Sequence, residues 1–490
     1  MAWVCTVPLL IACHREGSSG KAFLWGFVAG FIFFVGVCYW ITLVLRQYGD
    51  LTWTGASALF LLLAAYLSLF YALFALLFAK VSVRFPTQAL YLAPCLWIGA
   101  EYLRAHLLTG FPWCLLGYSL VDCSDLVQLS RITGVYGISF VIIAINALIA
   151  QLLMTWSKTA SFRLAIGCLI LTGMSFGFSR LTGPLPPGRQ QVRIVQTYIS
   201  PEQDWNHEAR SALLNELAAL SDKCDDDHTA TSTHPFRILL WPETPAPFYF
   251  NNDLEFRHWM QDLAKRCKAY LLFGFVDLRS SESPRKGRDP YNSIALLSPE
   301  GGFISQYDKI HLVPFGEYVP YTSIFFFIDK ISTEAGNFRA GDRILVSPLG
   351  SDHALGAFVC YESILPDLVR RFASQGAQVF VNVTNDAWFG DSAAPYQHLN
   401  MARFRAIENH RYLLRAANSG ISAVIDPYGR IQTRSLLDER TRLDSIFEWE
   451  NEKTFYTRYG DVFAWSCLGI DLLAFGWMIW TKRGIVLRVG

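Results

Sequence analysis

Several features that identify common protein classes are missing from this 490-residue sequence. Its eleven cysteines include no Cys-x-x-Cys spacing, so no zinc-binding or thioredoxin-type motif is visible, and we predict no metal site and no cofactor. No histidine has an evident acidic partner in the sequence, which argues against a Ser-His-Asp triad. Charged residues make up only 17% of the chain and the formal net charge is +1, so we do not expect nucleic-acid binding.

What the sequence contains in excess is apolar and aromatic residues. Hydrophobic residues make up 52% of the chain, with 15 Trp and 36 Phe, which is typical of a membrane protein. We predict a transmembrane helical domain over 1–182, a soluble domain over 183–460, and a C-terminal transmembrane helix with its tail over 461–490. Six apolar segments approach the length of about 20 residues needed to cross a bilayer: Phe23–Leu45, Thr54–Phe78, Ala89–Leu108, Gly137–Trp156, Leu164–Phe178 and Phe463–Trp480. Met1–Cys13 is apolar but too short to cross the bilayer. It is either an interfacial segment or a re-entrant segment, and the sequence does not decide between the two.

The basic residues of the short loops predict the orientation. The tail carries Lys482, Arg483 and Arg488, and further basic residues lie in the loops that share its side of the membrane. Because positively charged loops stay in the cytoplasm, the tail is predicted to be cytoplasmic. Residues 183–460 then lie on the opposite side, which is the periplasm if the protein is in a bacterial inner membrane.

The soluble region alternates between predicted strands and helices. Apolar β-branched runs bounded by turn residues indicate strands, and apolar residues at three- and four-residue spacing indicate helices. The pattern favours a layered α/β sandwich. The predicted strands are Val192–Gln196, Arg237–Trp241, Ala269–Val276, Tyr291–Leu297, Gly302–Asp308, Gly356–Cys360, Gln378–Val383, Ser422–Ile425 and Gly429–Thr433, and the predicted helices are Trp205–Leu220, Leu254–Lys268, Ser363–Ser374 and Ala394–Ala417.

Cys360 occupies a distinctive place in the sequence Gly356–Glu362, which reads GAFVCYE. An apolar strand ends at this cysteine, and a helix is predicted to follow it. A thiol at the N-terminal end of a helix experiences the positive end of the helix dipole, so we expect a lowered pKa and a nucleophilic thiolate. The alternative is a small buried core residue, which is the more common fate of a free cysteine.

Three residues at the ends of separate buried strands together provide the groups needed for acyl transfer. Cys360 offers a nucleophile, and the carboxylate of Glu243 in the sequence WPET can take and return its proton. Lys309 offers a fixed positive charge for the oxyanion of a tetrahedral intermediate, with the backbone N–H after Cys360 as a second donor. Taken singly, each has an ordinary alternative: a first-turn helix carboxylate, a surface lysine and a packed thiol.

At these residues the chain resembles the nitrilase superfamily, whose catalytic set is Glu, Lys and Cys on a four-layer αββα sandwich. It resembles most closely the membrane-embedded branch, the bacterial apolipoprotein N-acyltransferases. The motifs that carry the resemblance are Leu108–Trp113, Trp241–Thr244, His311–Pro320, Cys360–Glu362, Asn385–Ser392 and Gln397–Gly420. The family usually has eight spanning helices, so the resemblance implies that a first helix is missing here or that the start codon is misplaced.

The resemblance also implies a reaction, its partners and further site residues. An sn-1 acyl chain moves from a phospholipid, typically phosphatidylethanolamine, to Cys360, and then to the α-amino group of the S-diacylglyceryl cysteine of an apolipoprotein. Glu243 is the implied base and Lys309 the oxyanion stabiliser. Glu317 and Glu362 are assigned to orienting Lys309 and the site or to secondary proton transfer, and Tyr361 contributes its N–H. For the lipid, the implied contacts are Trp205, which is equally explained as a packing residue, and Trp388 and Phe389 on a lid-like loop.

Two other functions remain open at the level of the sequence. A membrane-tethered nitrilase-type amidase would use the same three residues but let water resolve the thioester, and a lipid-binding scaffold would need none of them. Aromatic residues near Phe111–Trp113 and Trp388–Phe389 favour lipid access from the outer leaflet. Two pairings are also open: Glu101 with Arg104, which are about one helical turn apart, and Cys224 with Cys267 as a disulfide.

Overall fold

A computed structural model describes residues 1–49, 51–183, 185, 188–199, 207–222, 237–244, 248–281, 287–321 and 338–486. The chain divides into two compact units. The first contains Met1–Tyr39, Thr54–Gly183 and Arg458–Gly490, and the second contains Trp40–Trp53 and Pro184–Thr457. The second unit therefore includes a short segment, Trp40–Trp53, from within the apolar N-terminal region. Cys224 is outside the described residues, as is Trp205.

The helices and strands follow one another in the order expected of a helical region, an α/β domain and a last helix. The α-helices are α1 Val7–Arg15, α2 Ser19–Val37, α3 Trp40–Tyr48, α4 Trp53–Arg84, α5 Pro86–His106, α6 Ser130–Thr133, α7 Val135–Thr155, α8 Lys158–Leu181, α9 His207–Asp222, α10 Leu254–Cys267, α11 Pro366–Ser374, α12 Ala394–Asn409, α13 Phe455–Tyr459 and α14 Val462–Val486. The strands are β1 Gln190–Gln196, β2 Arg237–Leu240, β3 Tyr270–Ser280, β4 Arg288–Leu297, β5 Phe303–Asp308, β6 Val346–Leu349, β7 His353–Val359, β8 Val379–Thr384, β9 Tyr412–Ala417, β10 Ala423–Ile425, β11 Ile431–Arg434 and β12 Thr441–Phe447. Short 3-10 helices occupy Leu116–Leu120, Leu126–Leu129, Cys360–Ile364 and Asp386–Phe389.

The first unit consists mainly of long apolar helices. Within the described residues, five helical segments are long and apolar enough to cross a membrane: Ser19–Val37, Trp53–Arg84, Val135–Thr155, Lys158–Phe178 and Val462–Trp480. They match five of the six predicted spans, and the chain is a membrane protein. The sixth prediction, Ala89–Leu108, falls on the 21-residue helix α5, which contains Pro94 and the buried, ionisable Glu101 and Arg104 and is less apolar.

Helix α5 uses these two ionisable side chains to hold the loop that follows it. Arg104 Nη1 donates hydrogen bonds to the carbonyl oxygens of Phe111 at 2.9 Å and Trp113 at 2.8 Å. Glu101 Oε1 accepts a hydrogen bond from the backbone N–H of Leu116 at 2.7 Å. Buried backbone groups of an irregular loop need such partners, so a structural role for both residues follows directly from the contacts.

The predicted span Phe23–Leu45 is wrong at its C-terminal end. Helix α2 ends at Val37, and a separate nine-residue helix, α3, begins at Trp40 and belongs to the second unit. The apolar composition continues across the break, so hydropathy alone merges the two helices.

The second unit is a four-layer αββα sandwich, as predicted. One sheet has the strand order β12-β1-β2-β3-β4-β5 and the other β11-β10-β9-β8-β7-β6. Between the sheets lies a core of aliphatic side chains such as Ile194, Leu240, Val359 and Val381. The outer face of the first sheet packs on α9 and α10, and that of the second on α11 and α12. Each sheet thus buries both faces, which explains the nearly continuous apolar runs of the central strands.

The predicted helix Ala394–Ala417 is also wrong in its second half. Helix α12 ends at Asn409, His410 takes a left-handed conformation with φ of +52°, and Tyr412–Ala417 forms strand β9 between β8 and β10. All six residues of β9 are buried. A strand buried on both faces has no polar alternation, so periodicity does not distinguish it from a continuing buried helix.

Candidate active site

The topology brings two of the three predicted catalytic residues to the same end of the first sheet, where β2 and β5 both finish. Strand β2 is parallel to β3, and β3, β4 and β5 are successively antiparallel, so β2 and β5 run in the same direction. Glu243 lies three residues beyond β2, and Lys309 follows β5 directly. Cys360 follows β7, a strand of the second sheet.

The close approach of β3 to the residues after β2 depends on Gly274. A Cβ atom at this position would lie 2.7 Å from Glu243 Cα and 2.9 Å from the backbone nitrogen of Thr244. The Gly274 N–H also donates to the carbonyl oxygen of Pro242 at 3.0 Å. Any side chain at Gly274 would displace the segment that carries Glu243.

Asn292 on β4 connects the two carboxylates of the site. Its Nδ2 donates to Glu243 Oε1 at 2.7 Å and to Glu317 Oε1 at 2.8 Å. Lys309 Nζ donates to Glu317 Oε1 at 2.9 Å, and Glu317 Oε2 accepts from the backbone N–H of Val313 at 2.8 Å. One amide and one ammonium therefore fix Glu317, and the amide also fixes one oxygen of Glu243.

The second oxygen of Glu243 is left available. Glu243 Oε2 is buried and accepts no hydrogen bond of standard geometry among the described residues, and the Cys360 thiol is a hydrogen-bonding neighbour that lowers the pKa of this carboxyl. A buried carboxylate oxygen without such a hydrogen bond is costly in a folded protein, so it marks a place for chemistry.

Burial and charge shift the pKa values of the site in a consistent direction. Burial raises the pKa of Glu243, and Glu317 adds to that rise, while Lys309 opposes it. Burial alone would lower the pKa of Lys309, but the negative charge of Glu317 and the proximity of Cys360 and Glu243 outweigh it and leave the pKa raised. Lys309 is only 1% exposed and remains a cation. The result is a permanent positive charge beside a carboxylate whose pKa is moved toward neutrality.

Cys360 lies at a sharp turn between β7 and a 3-10 helix. Its φ is +49°, a conformation that costs a non-glycine residue about 1–3 kcal/mol and persists only where the surroundings enforce it. The prediction of a lowered thiol pKa is wrong: burial raises the pKa of Cys360, Glu243 raises it further, and Lys309 opposes the rise. The expected long helix does not begin here, because Cys360–Ile364 is a five-residue 3-10 helix and α11 starts only at Pro366.

Glu362 supports this turn from the inside. Its side chain is fully buried, and Oε1 accepts from Tyr307 Oη and the Ile310 N–H at 2.8 Å each and from the His311 N–H at 3.1 Å. Oε2 accepts from the Val359 N–H at 2.7 Å. The carboxylate thus joins the segment that follows Lys309 to the residue that precedes Cys360.

The other predicted site residues are Tyr361, Trp388, Phe389 and Trp205. Tyr361 is adjacent to Cys360, and its ring stacks on His311 at 6.0 Å between centroids. Trp388 and Phe389 belong to the 3-10 helix Asp386–Phe389, where Tyr48 packs edge-on against Trp388 at 4.6 Å and Trp40 against Phe389 at 4.9 Å. Helix α3 therefore covers one side of this aromatic loop. Trp205 is among the residues that the structure does not describe.

The expectation that no histidine has an acidic partner is wrong as well. His398 Nδ1 lies 2.9 Å from Asp386 Oδ1, and His398 Nε2 lies 2.7 Å from Ser363 Oγ and 3.2 Å from the Cys360 carbonyl oxygen. Arg415 Nη2 donates to Asp386 Oδ2 at 2.8 Å. Burial would raise the pKa of Asp386, but Arg415 and His398 outweigh it and lower that pKa, while burial and Arg415 lower the pKa of His398.

Sequence reasoning missed Asn292 and the group Asp386, His398 and Arg415. Asn292 lies inside a predicted strand, and its pairing with two carboxylates depends on a loop that is 25 residues away along the chain. Asp386 and His398 lie within motifs that were noted only as a loop and a helix. For Asn292, His398 and Arg415 the available signal is a polar residue at a buried strand or helix position, whereas Asp386 lies in a predicted loop and has no such signal.

The comparisons with known proteins cover both parts of the chain. Residues 1–148 match the family model described as apolipoprotein N-acyltransferase N-terminal domain, and residues 191–443 match carbon-nitrogen hydrolase. An apolipoprotein N-acyltransferase from Geobacter metallireducens is 37% identical over 475 residues, which cover 96% of this chain and 89% of that protein. The chain belongs to the apolipoprotein N-acyltransferase family. Proteins of the same name from Bradyrhizobium diazoefficiens and Rhodopseudomonas palustris are each 35% identical, over 82% and 93% of this chain and 75% and 87% of their own lengths.

The family membership confirms the resemblance stated from the motifs and decides between the functions left open. A nitrilase-type amidase does not account for residues 1–148, which match the N-acyltransferase model. A lipid-binding scaffold does not account for the carbon-nitrogen hydrolase match over residues 191–443. Among solved structures, an amidase of the nitrilase superfamily from Nesterenkonia sp. AN1 is 18% identical, covers 56% of this chain and 96% of its own, and has a TM-score of 0.39. The curated relatives and the family model over residues 191–443 together show that the chain is an acyltransferase with a carbon-nitrogen hydrolase domain.

Proposed function

We propose that this chain moves an sn-1 acyl chain from a phospholipid to the α-amino group of the S-diacylglyceryl cysteine of an apolipoprotein, through a thioester on Cys360. The observation that carries the proposal is the buried convergence of Glu243, Lys309 and Cys360 in a member of the apolipoprotein N-acyltransferase family. Phosphatidylethanolamine is the proposed donor. We place the enzyme in a bacterial inner membrane with its α/β domain in the periplasm.

In the first half-reaction Glu243 Oε2 takes the proton of the Cys360 thiol as the sulfur attacks the ester carbonyl carbon. The raised pKa of Glu243 makes it a stronger base than an exposed glutamate, and the thiol is neutral until it reacts. Lys309 stabilises the negative charge on the carbonyl oxygen of the tetrahedral intermediate. When the intermediate collapses, the lysophospholipid oxygen leaves with the proton from Glu243, and the acyl group stays on sulfur.

In the second half-reaction the apolipoprotein amine attacks the thioester carbonyl carbon. Glu243, ionised again, accepts a proton from the attacking nitrogen, and Lys309 again faces the oxyanion. Collapse breaks the carbon–sulfur bond and forms the amide. The Cys360 sulfur regains its proton from Glu243, so the enzyme returns to its starting state.

The other residues are assigned positioning roles. Glu317 holds Lys309 by an ion pair at 2.9 Å. Asn292 fixes the positions of the Glu243 and Glu317 carboxylates by donating a hydrogen bond to each. Glu362 fixes the turn at Cys360 through four hydrogen bonds, all of which it accepts, so it serves as an anchor rather than as a proton donor. The backbone N–H of Tyr361 is the proposed second oxyanion donor. Trp388 and Phe389 are proposed to contact the acyl chain or head group, as is Trp205.

The test of this function uses the purified full-length protein in phospholipid micelles. Mass spectrometry should show one acyl group on Cys360 after exposure to phosphatidylethanolamine alone, and its transfer after addition of a diacylglyceryl-cysteine peptide with a free amine. Release of free fatty acid at the same rate with and without the peptide would favour an amidase-type or esterase-type hydrolase. Absence of any acyl group on the wild-type protein would contradict the proposal.

Replacing Asn292 with alanine should change the pH dependence of acylation in a defined direction. The hydrogen bond from Asn292 lowers the pKa of Glu243, so its removal should raise that pKa further. The base is then protonated at higher pH, and the acid limb of the plot of acylation rate against pH should move to higher pH. At neutral pH we expect a rate loss of about tenfold to a hundredfold.

Asn251 provides a matched control for this experiment. Its Nδ2 donates to Asp277 Oδ1 at 2.8 Å, which is the same type of amide–carboxylate contact in the same unit. Asn251→Ala should leave the acid limb where it is in the wild-type enzyme. An unchanged acid limb in Asn292→Ala would show that Glu243 is not the titrating base.

Polar substitutions in the aromatic loop should affect long-chain donors more than short ones. A chain of 16 carbons costs on the order of 12 kcal/mol to expose to water at about 0.8 kcal/mol per methylene, so a lipid-facing path to Cys360 is required. Trp388→Asp and Phe389→Asp should slow acylation by a long-chain phospholipid by at least about tenfold more than acylation by a short soluble ester.

The matched control for the loop variants is Leu436→Asp, since Leu436 is 70% exposed in the same unit and apolar. It should slow neither substrate. Equal losses on the long and the short donor in the Trp388 and Phe389 variants would mean that the loop supports the catalytic residues instead of guiding lipid.

A further inference from the structure

The side chains of Ser363, His398 and Asp386 form a hydrogen-bonded series beneath the Cys360 turn. The separations are 2.7 Å from Ser363 Oγ to His398 Nε2 and 2.9 Å from His398 Nδ1 to Asp386 Oδ1. These are the three residue types of a hydrolytic triad, in contact in the order that such a triad requires. The mechanism proposed above assigns no role to these three residues.

A second nucleophilic site is excluded by burial and by the charge partner of Asp386. Ser363 and His398 are completely buried and Asp386 is 2% exposed, so no substrate carbonyl reaches the serine oxygen. Arg415 Nη2 also occupies Asp386 Oδ2 at 2.8 Å and contacts His398 Nδ1 at 3.1 Å. A permanent guanidinium at this place opposes the imidazolium that a general base would have to become.

The hydrogen-bond directions follow from the ionised state of Asp386. A carboxylate accepts only, so the proton of the neutral imidazole lies on Nδ1 and is donated to Asp386 Oδ1. His398 Nε2 is then the acceptor for the hydroxyl of Ser363, and its 3.2 Å separation from the Cys360 carbonyl oxygen is a packing contact, because both atoms are acceptors. Because Ser363 lies in the same 3-10 helix as Cys360, this bond ties the turn that carries the nucleophile to helix α12.

The Cys360 turn is held at two points by buried polar groups on different elements. Glu362 Oε2 accepts the N–H of Val359, just before Cys360, whereas His398 lies against Ser363 Oγ and the Cys360 carbonyl oxygen, just after it. The backbone between these points has the left-handed φ of +49°, which a cysteine does not hold without support. Thr384 Oγ1 further fixes Asp386 by donating to its Oδ1 at 3.0 Å.

We propose that His398, held by Asp386, which Arg415 fixes in turn, is a positioning residue that sets the direction of the Cys360 sulfur through the hydrogen bond that it accepts from Ser363 Oγ. The proposal rests on the proposed function of Cys360 as nucleophile. His398 touches neither substrate nor sulfur in this role. Asp386 begins the 3-10 helix that carries Trp388 and Phe389, and the ring of Phe389 lies edge-on to His398 at 6.1 Å, so the same group also anchors the aromatic loop.

Two substitutions of His398 separate its two ends. A glutamine amide reaches the position of Nε2 and keeps an acceptor for the Ser363 hydroxyl, whereas an asparagine amide reaches only the position of Nδ1 and keeps the contact with Asp386. His398→Gln loses the hydrogen bond to Asp386, and His398→Asn loses the hydrogen bond from Ser363. Because each variant loses one buried hydrogen bond, their thermal unfolding temperatures should fall by similar amounts. If the bond between His398 and Ser363 sets the direction of the Cys360 sulfur, only His398→Asn should lose acylation.

The measurement is the rate of acyl-Cys360 formation by the full-length protein, with a short p-nitrophenyl ester and with phosphatidylethanolamine micelles. His398→Gln should stay within about fivefold of the wild type, and His398→Asn should fall by about a hundredfold in the maximal rate with unchanged half-saturation, as expected for a misdirected nucleophile. Equal rates for the two variants, whether both fast or both slow, would overturn the proposal. A Ser363→Ala variant, which leaves His398, Asp386 and Arg415 intact, should be about tenfold slower than the wild type if the same mechanism operates, and wild-type speed there would also overturn it.

The short ester distinguishes this inference from the proposed function. A wild-type protein that is acylated on Cys360 by the p-nitrophenyl ester but not by phospholipid would contradict the lipid acyltransferase proposal. The comparison of the His398 variants with the short ester would remain valid in that case. No acylation by either donor would remove Cys360 as the nucleophile, and the positioning role with it.

Discussion

Cys360→Ala should abolish both acyl-enzyme formation and transfer to the peptide amine. Alanine keeps Cβ and therefore the left-handed backbone requirement at this position, so the substitution deletes the sulfur with little other change. Without the sulfur there is no atom to carry the acyl group, and phospholipid-dependent turnover should fall by at least about 10⁴-fold. Intact-protein mass spectrometry and transfer to a diacylglyceryl-cysteine peptide measure the two losses separately.

Cys360→Ser should recover little of this activity. A hydroxyl is far less acidic than a thiol, and Glu243 is too weak a base to ionise it even with a raised pKa. Cys267 supplies the matched control, because it is a buried cysteine of the same unit on helix α10. Cys267→Ala should remain acylated on Cys360 at a normal rate, whereas normal turnover in Cys360→Ala would exclude this thiol from the reaction.

Lys309→Met should reduce acylation by about 10²–10³-fold, the usual effect of deleting an oxyanion donor. Methionine approximates the length of the lysine side chain and removes only its charge and its N–H groups. The loss should appear in the acylation step with a short ester as well as with a phospholipid, because the oxyanion is the same in both. Half-saturation for the donor should change little.

The single variant also leaves the partly buried Glu317, whose side chain is 13% exposed, without its cation, and this lowers stability in its own right. The double variant Lys309→Met with Glu317→Gln removes both charges and restores neutrality. If Lys309 acts on the oxyanion, the double variant should unfold closer to the wild-type temperature than the single variant and remain about as inactive. Recovery of activity together with stability would show that Lys309 serves only to balance Glu317.

The strand pattern of the sequence was enough to identify the layered sandwich and the three residues at its strand ends. The largely buried strands β2, β7 and β8 have nearly continuous apolar runs, and the residue at which each run stops is visible without tertiary information. Glu243 and Cys360 each stand just beyond such a stop, whereas Lys309 follows β5, a partly exposed strand at the edge of its sheet and not the buried strand that was predicted. The family motifs then indicated that these residues belong together.

The predicted ends of helices were wrong where the backbone structure changes but the amino-acid composition does not. The merged spans at Phe23–Leu45 and the merged helix Ala394–Ala417 both continue an apolar pattern across a break in the backbone. At Val37 the break is followed by a short amphipathic helix, and at His410 by a strand in the middle of a sheet. Only hydrogen bonding to distant strands or packing on distant residues determines these breaks, and neither has a local signature.

What the sequence determined by itself was therefore the class of chemistry, because residue types at strand ends follow from local periodicity. The tertiary structure decided the environment of each group: it buried Cys360 so that its pKa rises instead of falling, and it brought Asn292 between Glu243 and Glu317. It also placed His398 between Asp386 and Ser363. Burial and pairing of this kind depend on residues that are 12 to 49 positions apart along the chain, and desolvation and hydrogen bonding, which set a pKa, act only once the fold has brought them together.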